Sequence, residues 1–351
     1  MKKSLLLLAA TVIVASCSKT DSINEVKEIP IDFTKAYVEK GTKAIHRGLY
    51  TTDNFESTGN TMGVYGWKKV TKNSTTTDTQ IFSNVRVDYN ETVSGDWGYS
   101  PKRYWDGNAD KYRFYAYAPH SSDFPNGGTV ALTGANDSTT FSITGFSQAT
   151  TVKDQVDLLV DLTSQFNNTT NKATTKEDVS FTFRHILSQV NFYMGVSQKL
   201  KNDAQDNPVQ VQSVSLNGVY INGTYAYSSN AWQWGSKTTT HDFSATPSTA
   251  AFFTSDHLTA TADTVPGLVK MLLIPNSVSG YSVTVNYTIG SESFEKTINL
   301  SEFKNGNTTV ATWASGFNYN YTLVIGPEPI EFDMTKISSW GDGGSYTYTI
   351  Q

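Results

Sequence analysis

Apolar and polar residues alternate with a period of two along this 351-residue chain, and no amphipathic helix longer than a few turns accompanies them. In an extended chain successive side chains point to opposite faces, so each such run has one face to bury and one to leave in water. SVTVNYTI sends Val283, Val285, Tyr287 and Ile289 one way, and NYNYTLVI does the same with Tyr319, Tyr321, Leu323 and Ile325. Val156, Leu158, Val160 and Leu162 repeat the pattern. Asn217-Gly218 and Asn222-Gly223 stand where tight hairpins require positive φ. Pro30, Pro119, Pro275 and Pro329 sit at the edges of apolar runs, where missing N–H donors do least harm. The aromatics, mainly 19 Tyr and 18 Phe, suit a pleated, half-buried surface. With 38 % hydrophobic residues the chain can bury one large core or two medium ones. The expectation is an all-β protein built of sandwiches.

The first residues are an address rather than a fold element. Lys2 and Lys3 precede an apolar run from Leu5 to Val14, too short to span a bilayer, followed by small residues at Ala15-Ser16. Val14-Ala15-Ser16-Cys17 resembles the bacterial lipobox, which makes Cys17 the expected lipidation site and residues 1–16 a signal peptide. Cys17 is the only cysteine, so an internal disulfide framework and any multi-cysteine metal site are excluded. Removal of residues 1–16, which carry two lysines, leaves 335 residues and a formal charge of −7 rather than −5. That balance offers no basic surface to phosphate backbones, and no nucleic-acid partner is expected. The mature chain reads as an exported body on a lipid tether.

Motifs that carry chemistry are absent from the sequence. No H-E-x-x-H, Walker loop or G-x-S-x-G elbow occurs, and His46, His120, His185, His241 and His257 lack metal-ligand spacing. No catalytic residue, metal ligand or cofactor is assigned, and the chain is not read as an enzyme. His185, on the apolar side of SFTFRHILSQVNFYMGV, reads as a hydrogen-bonded core histidine. The parity slip between Leu187 and Val190 in that segment predicts one long bent strand with a bulge or brief helical turn. Trp232 and Trp234 in AWQWG are candidates for a sugar-stacking platform, against a half-core, half-surface alternative. They would serve a glycan-binding lipoprotein of a nutrient-uptake system, the alternative function. The Thr- and Asn-rich tract at 163–178 is the candidate domain boundary.

The two ends of the chain match. Residues 30–33 read Pro-Ile-Asp-Phe and residues 329–332 read Pro-Ile-Glu-Phe. Ile29, Ile31 and Phe33 alternate in the first, and Ile330, Phe332 and Met334 in the second. Two strands with one side-chain pattern fit one groove. Were the first removed by proteolysis, the second, from another molecule, could add in its place through main-chain ladders and side-chain pockets. Lys43 and Arg47, in the polar link GTKAIHRGLY, are the basic cutting points.

Six segments in order resemble the fimbrillin-like family, the type V pilins. They are the lipobox cysteine with SKTDS, IPIDF and T-K-A; GDWGYSPKRYWDGNADKYRFYAYAP; DLLVDLT; FTFRHILSQVNF; LLIPNSVSGYSVTVNYTI; and the closing Tyr-x-Tyr-then-Trp region at 319–348. The resemblance implies two transthyretin-like β-sandwich domains in tandem, at 48–172 and 173–351, after a lipidated propeptide strand and tether at 17–47. It implies a fimbrial subunit acting in adhesion, with other fimbrial subunits, a trypsin-like processing protease and a host or bacterial surface receptor as partners. Carried onto this chain, Cys17 is the lipid site and Arg47 the first cleavage point, with Lys43 second. Ile29, Ile31 and Phe33 belong to the displaced strand. Ile330, Phe332 and Met334 belong to the donor, within a tail at 327–351 that also holds Tyr346, Tyr348 and Ile350. The family's T-R-A reads T-K-A here, which weakens the match to an arginine-specific protease.

Overall fold

The computed structural model describes residues 28–38, 50, 52–90, 96–135, 138–162, 165–166, 178–197, 200, 208–228, 231–246, 263–265, 267–305, 308–326 and 331–339. The first half contributes β1 (Phe33–Val38), the four-residue α1 (Thr52–Phe55), β2 (Thr61–Lys72), β3 (Thr75–Asn90), β4 (Asp96–Gly98) and β5 (Lys111–Ala118). It continues with β6 (Thr129–Ala135), β7 (Ser138–Ser147), β8 (Leu159–Asp161), β9 (Gln165–Phe166) and β10 (Val179–His185). The second half begins with β11 (Ser188–Val196), β12 (Val209–Tyr220), β13 (Asn222–Ser228), β14 (Ala231–Gly235), β15 (Thr240–Ala245), β16 (Asp263–Thr264) and β17 (Met271–Leu273). It ends with β18 (Ser282–Ile289), β19 (Glu292–Asn299), β20 (Lys304–Asn305), β21 (Thr308–Thr309), β22 (Phe317–Ile325) and β23 (Glu331–Ser339). The all-β architecture expected from the alternation is the one the chain adopts.

The first sheet runs β2-β3-β4-β1-β10-β8-β5, and β2 also pairs with β5 over Gly63–Lys69. The sheet therefore closes on itself as a ring of seven strands, with β9 attached to β5. Closure removes open edges but demands sharp bends. Register shifts in the β2–β3 ladder around Gly66 supply one, and a Cβ there would come 2.8 Å from the Phe114 ring. The ring interior takes alternate residues, among them Met62, Val64, Phe114, Ala116, Phe181 and Phe183.

The outer face of the same strands is buried too. Tyr65, Trp67, Tyr115 and Tyr117 pack under a second sheet ordered β14-β13-β7-β6. That cover is shared between the halves, because β13 and β14 come from the second half and pair with β7 from the first. The third core lies between β16-β11-β22-β23, with β17 on β11, and β15-β12-β18-β19. Trp313 is buried in it and donates its indole N–H to the Tyr321 hydroxyl at 2.8 Å.

The segment expected as one bent strand is two. β10 pairs with β1 and β8 in the ring, whereas β11 pairs with β22 and β17 in the other sheet. The parity slip at Leu187–Val190 marks this change of sheet, bridged by the buried Ile186 and Leu187. β10 thus pairs within the first sheet, although it follows the boundary tract in sequence. Both sheets share one device: β1 runs parallel to β10, and β11 runs parallel to β22.

Candidate functional site

β1 is an interior strand contributed by the beginning of the chain. On one side it pairs with β10 from Phe33↔Val179 to Val38↔Phe183. On the other, Phe33 pairs with Trp97 of β4, and the residues before it bond to the 103–105 segment. The Ile31 N–H donates to the Arg103 carbonyl at 2.8 Å, and the Trp105 N–H donates to the Ile29 carbonyl at 2.9 Å. The Tyr99 hydroxyl adds a bond to the Ile31 carbonyl at 2.7 Å, and the Val179 N–H another to the Asp32 carbonyl at 2.8 Å.

Four side chains of β1 and its approach point inward: Ile31, Phe33, Ala36 and Val38, all buried. Phe33 fills a cage of Phe82, Tyr99, Phe114 and Phe181, with ring centroids 5.5 to 6.2 Å away. Ile29 is only half-buried. The inward set skips from 33 to 36 because Thr34 is an extra residue against β10, a bulge between Phe33 and Lys35. Strict alternation in the sequence carries no sign of the bulge and does not single out Ala36 and Val38. Two polar contacts were also invisible there. Lys102 pairs with Asp32 at 2.7 Å on the exposed side, and the Glu56 carboxylate accepts from the Ala36 N–H at 3.2 Å.

Tyr50 packs against the same core as β1. Its N–H donates to Asp157 Oδ2 at 2.9 Å, and its ring meets Phe55 edge-on at 4.9 Å. Asp157 is completely buried, which pushes its carboxyl above the ordinary range, while His185 at 2.9 Å pulls the other way. His185 is thus the hydrogen-bonded core histidine that its position suggested.

β23 differs from β1 in position. It lies at the end of its sheet, antiparallel to β22, with Phe332 opposite Leu323 and Met334 opposite Tyr321. An edge strand can leave without dividing a sheet, whereas the loss of β1 would open the ring between β4 and β10. Cys17, Lys43, Arg47, Ile330, Tyr346, Tyr348 and Ile350 lie outside the described residues.

Trp234 does not form a sugar platform. It is buried, with its indole N–H donating to the Ile186 carbonyl at 2.7 Å, so no ring face is left for a ligand. Trp232 stacks on Tyr225 at 5.8 Å and meets Phe141. Among the described residues no three His, Cys, Asp or Glu side chains gather as they would around a metal ion.

The fimbrillin-like family model matches residues 42–340, from just after β1 through β23. The chain belongs to the fimbrillin-like family. This fimbrillin-like chain is 29 % identical over 194 residues to the fimbrium subunit Fim1C of Phocaeicola vulgatus, a stretch covering 54 % of this chain and half of that relative. A fimbrial protein from Bacteroides vulgatus shares the fold with a TM-score of 0.54 at 19 % identity, over 89 % of this chain and 99 % of that one. A Bacteroides ovatus protein named for cell adhesion gives 0.51 at 14 % identity, over 90 % and 99 %.

Proposed function

We propose that this fimbrillin-like chain is a structural subunit of cell-surface fimbriae that supports adhesion and assembles by protease-triggered donor-strand exchange. One observation carries the reading: a terminal strand occupies an interior place in a closed ring, and its Pro-Ile-Asp-Phe start has a counterpart, Pro-Ile-Glu-Phe, running into edge strand β23. On this reading Cys17 carries the lipid that holds the precursor at the outer membrane, and a trypsin-like protease cuts at Arg47 or Lys43. The segment with Ile29, Ile31 and Phe33 then leaves, and the segment with Ile330, Phe332 and Met334 from a neighbouring subunit takes its place. Tyr346, Tyr348 and Ile350 extend that tail. Before cutting, β1 covers edges that would otherwise recruit strands during export. Afterwards the contact is head-to-tail and does not close, which gives a filament. Two sandwich units of the transthyretin-like kind, meeting where pairing passes from β10 to β11, form each subunit. A surface receptor on host or bacterium completes the set of partners.

The test uses the chain from residue 18, incubated with and without limited trypsin, mapped by mass spectrometry and examined by size exclusion and electron microscopy. Cleavage at Arg47 or Lys43 followed by ladders or filaments is expected. A chain that stays monomeric after clean cleavage and loss of β1 overturns the reading.

A further inference from the structure

We infer that the vacated β1 site accepts residues 330–337 of a second copy in a bulged register, with Ile330, Phe332, Thr335 and Ile337 inward and Met334 outward. The inference rests on the donor-strand reading above and specifies which side chains the site selects.

The argument starts from the occupant in place. Residues 31–38 read Ile-Asp-Phe-Thr-Lys-Ala-Tyr-Val, and residues 330–337 read Ile-Glu-Phe-Asp-Met-Thr-Lys-Ile. Laid residue on residue, the inward positions Ile31, Phe33, Ala36 and Val38 become Ile330, Phe332, Thr335 and Ile337. The aromatic cage of Phe82, Tyr99, Phe114 and Phe181 receives a phenylalanine in both cases. Glu331 falls where Asp32 meets Lys102, so that acid-on-lysine contact is also kept. The Tyr99 hydroxyl and the Val179 N–H address main-chain carbonyls and accept either sequence.

The bulge decides between two registers. Unbroken alternation from Phe332 would send Met334 and then Lys336 into the ring. A buried lysine without a carboxylate partner is costly, and the inner wall there is aromatic and aliphatic. With the bulge of β1, Lys336 falls on the position of Tyr37, which is 43 % exposed, and Met334 on that of the exposed Lys35. Ile337 then takes the buried place of Val38. The segment already accommodates a bulge in its own sheet, where Thr335 is the extra residue against β22. Thr335 is the poorest match, since it replaces a fully buried alanine with a larger, polar side chain.

The test compares Phe332→Asp, Met334→Asp, Ile337→Asp and Thr335→Ala in the chain from residue 18, each cut with trypsin beside the wild type. Polymer yield is read by size exclusion, and uncut monomers are first shown by thermal melting to remain folded. Phe332→Asp and Ile337→Asp are expected to cut the yield by at least about tenfold, Met334→Asp to leave it within about twofold, and Thr335→Ala to hold or raise it. Loss with Met334→Asp but not with Ile337→Asp overturns the register and leaves the donor-strand reading standing. Equal loss with all three carboxylates also overturns the register. Wild-type yield from all three, or no polymer from the wild type, overturns the donor-strand reading and this inference with it.

Discussion

The Phe33 ring stacks on the Phe181 ring, with centroids 5.7 Å apart and an interplanar angle of 24°. The two strands that carry them run parallel, so a residue from the beginning of the chain lines the same wall as one from its middle. Phe33→Ala removes the centre of a five-ring cluster inside a closed sheet, where collapse is hindered on every side. A loss of about 3–5 kcal/mol in the uncut chain is expected, from the transfer and cavity costs of a buried phenylalanine. Urea denaturation measures it, and an unchanged midpoint would show that the ring does not depend on β1.

Gly63 of β2 lies directly beneath the Tyr117 ring, with which an added Cβ would collide. That close approach lets the Tyr117 hydroxyl reach across to Asn84 Oδ1 at 2.6 Å and to Ser121 Oγ at 3.0 Å. Gly63→Ala should displace the ring and lower stability by about 1–3 kcal/mol, the usual cost of overpacking. Thermal melting checks the loss, and near-UV dichroism checks that the tyrosine environment changes.

Trp234 joins the halves of the chain through its bond to the Ile186 carbonyl. Trp234→Phe keeps an aromatic ring but leaves the Ile186 carbonyl with only its bond from the Ser315 hydroxyl at 3.0 Å, at a cost of about 0.5–1.5 kcal/mol. Denaturation should report this loss. Oligosaccharide titration of the wild type should leave Trp234 fluorescence unmoved; saturable quenching that disappears in the variant would restore the sugar-platform role.

His120 accepts from the Ser122 N–H and exchanges a bond with the Ser122 hydroxyl at 2.8 Å. Burial pushes its pKa below the ordinary value of 6.5 and nearby Arg86 adds to this, while the Asn84 carbonyl, Asp123 and Asp88 oppose it. The folded chain therefore takes up this proton less readily than the unfolded one. Its contribution is complete above the unfolded value and is lost as the pH falls through the folded one. Stability between about pH 7.5 and 5 should fall more in the wild type than in His120→Asn, whose amide oxygen can still accept from Ser122. Parallel curves would remove His120 from the pH response.

Much of the local architecture was legible because pleat alternation is local. The strands at 283–289 and 319–325 were readable from their own residues, as was the core role of His185. The candidate site was legible only in outline. Ile31 and Phe33 were recognisable from the matching ends, but Ala36, Val38, Tyr99 and Lys102 were not. A bulge depends on the partner strand, and the partner lies far away in the sequence.

The division between the two kinds of information follows from that distance. The sequence by itself determined that the chain is built of strands and that its ends carry one pattern, since each needs only neighbouring residues. The hairpins expected at Asn217-Gly218 and Asn222-Gly223 do not form: the first pair is a bulge inside β12 against β15, with Gly218 at φ 74°, and the second opens β13, which pairs in another sheet. Tertiary structure decided that β1 closes a ring between β4 and β10, that residues 181–192 split between two sheets, and that Trp234 is covered. Those outcomes turn on which strands share hydrogen bonds and which apolar faces meet. Many pairings satisfy the same alternation, and only packing of the whole chain selects among them.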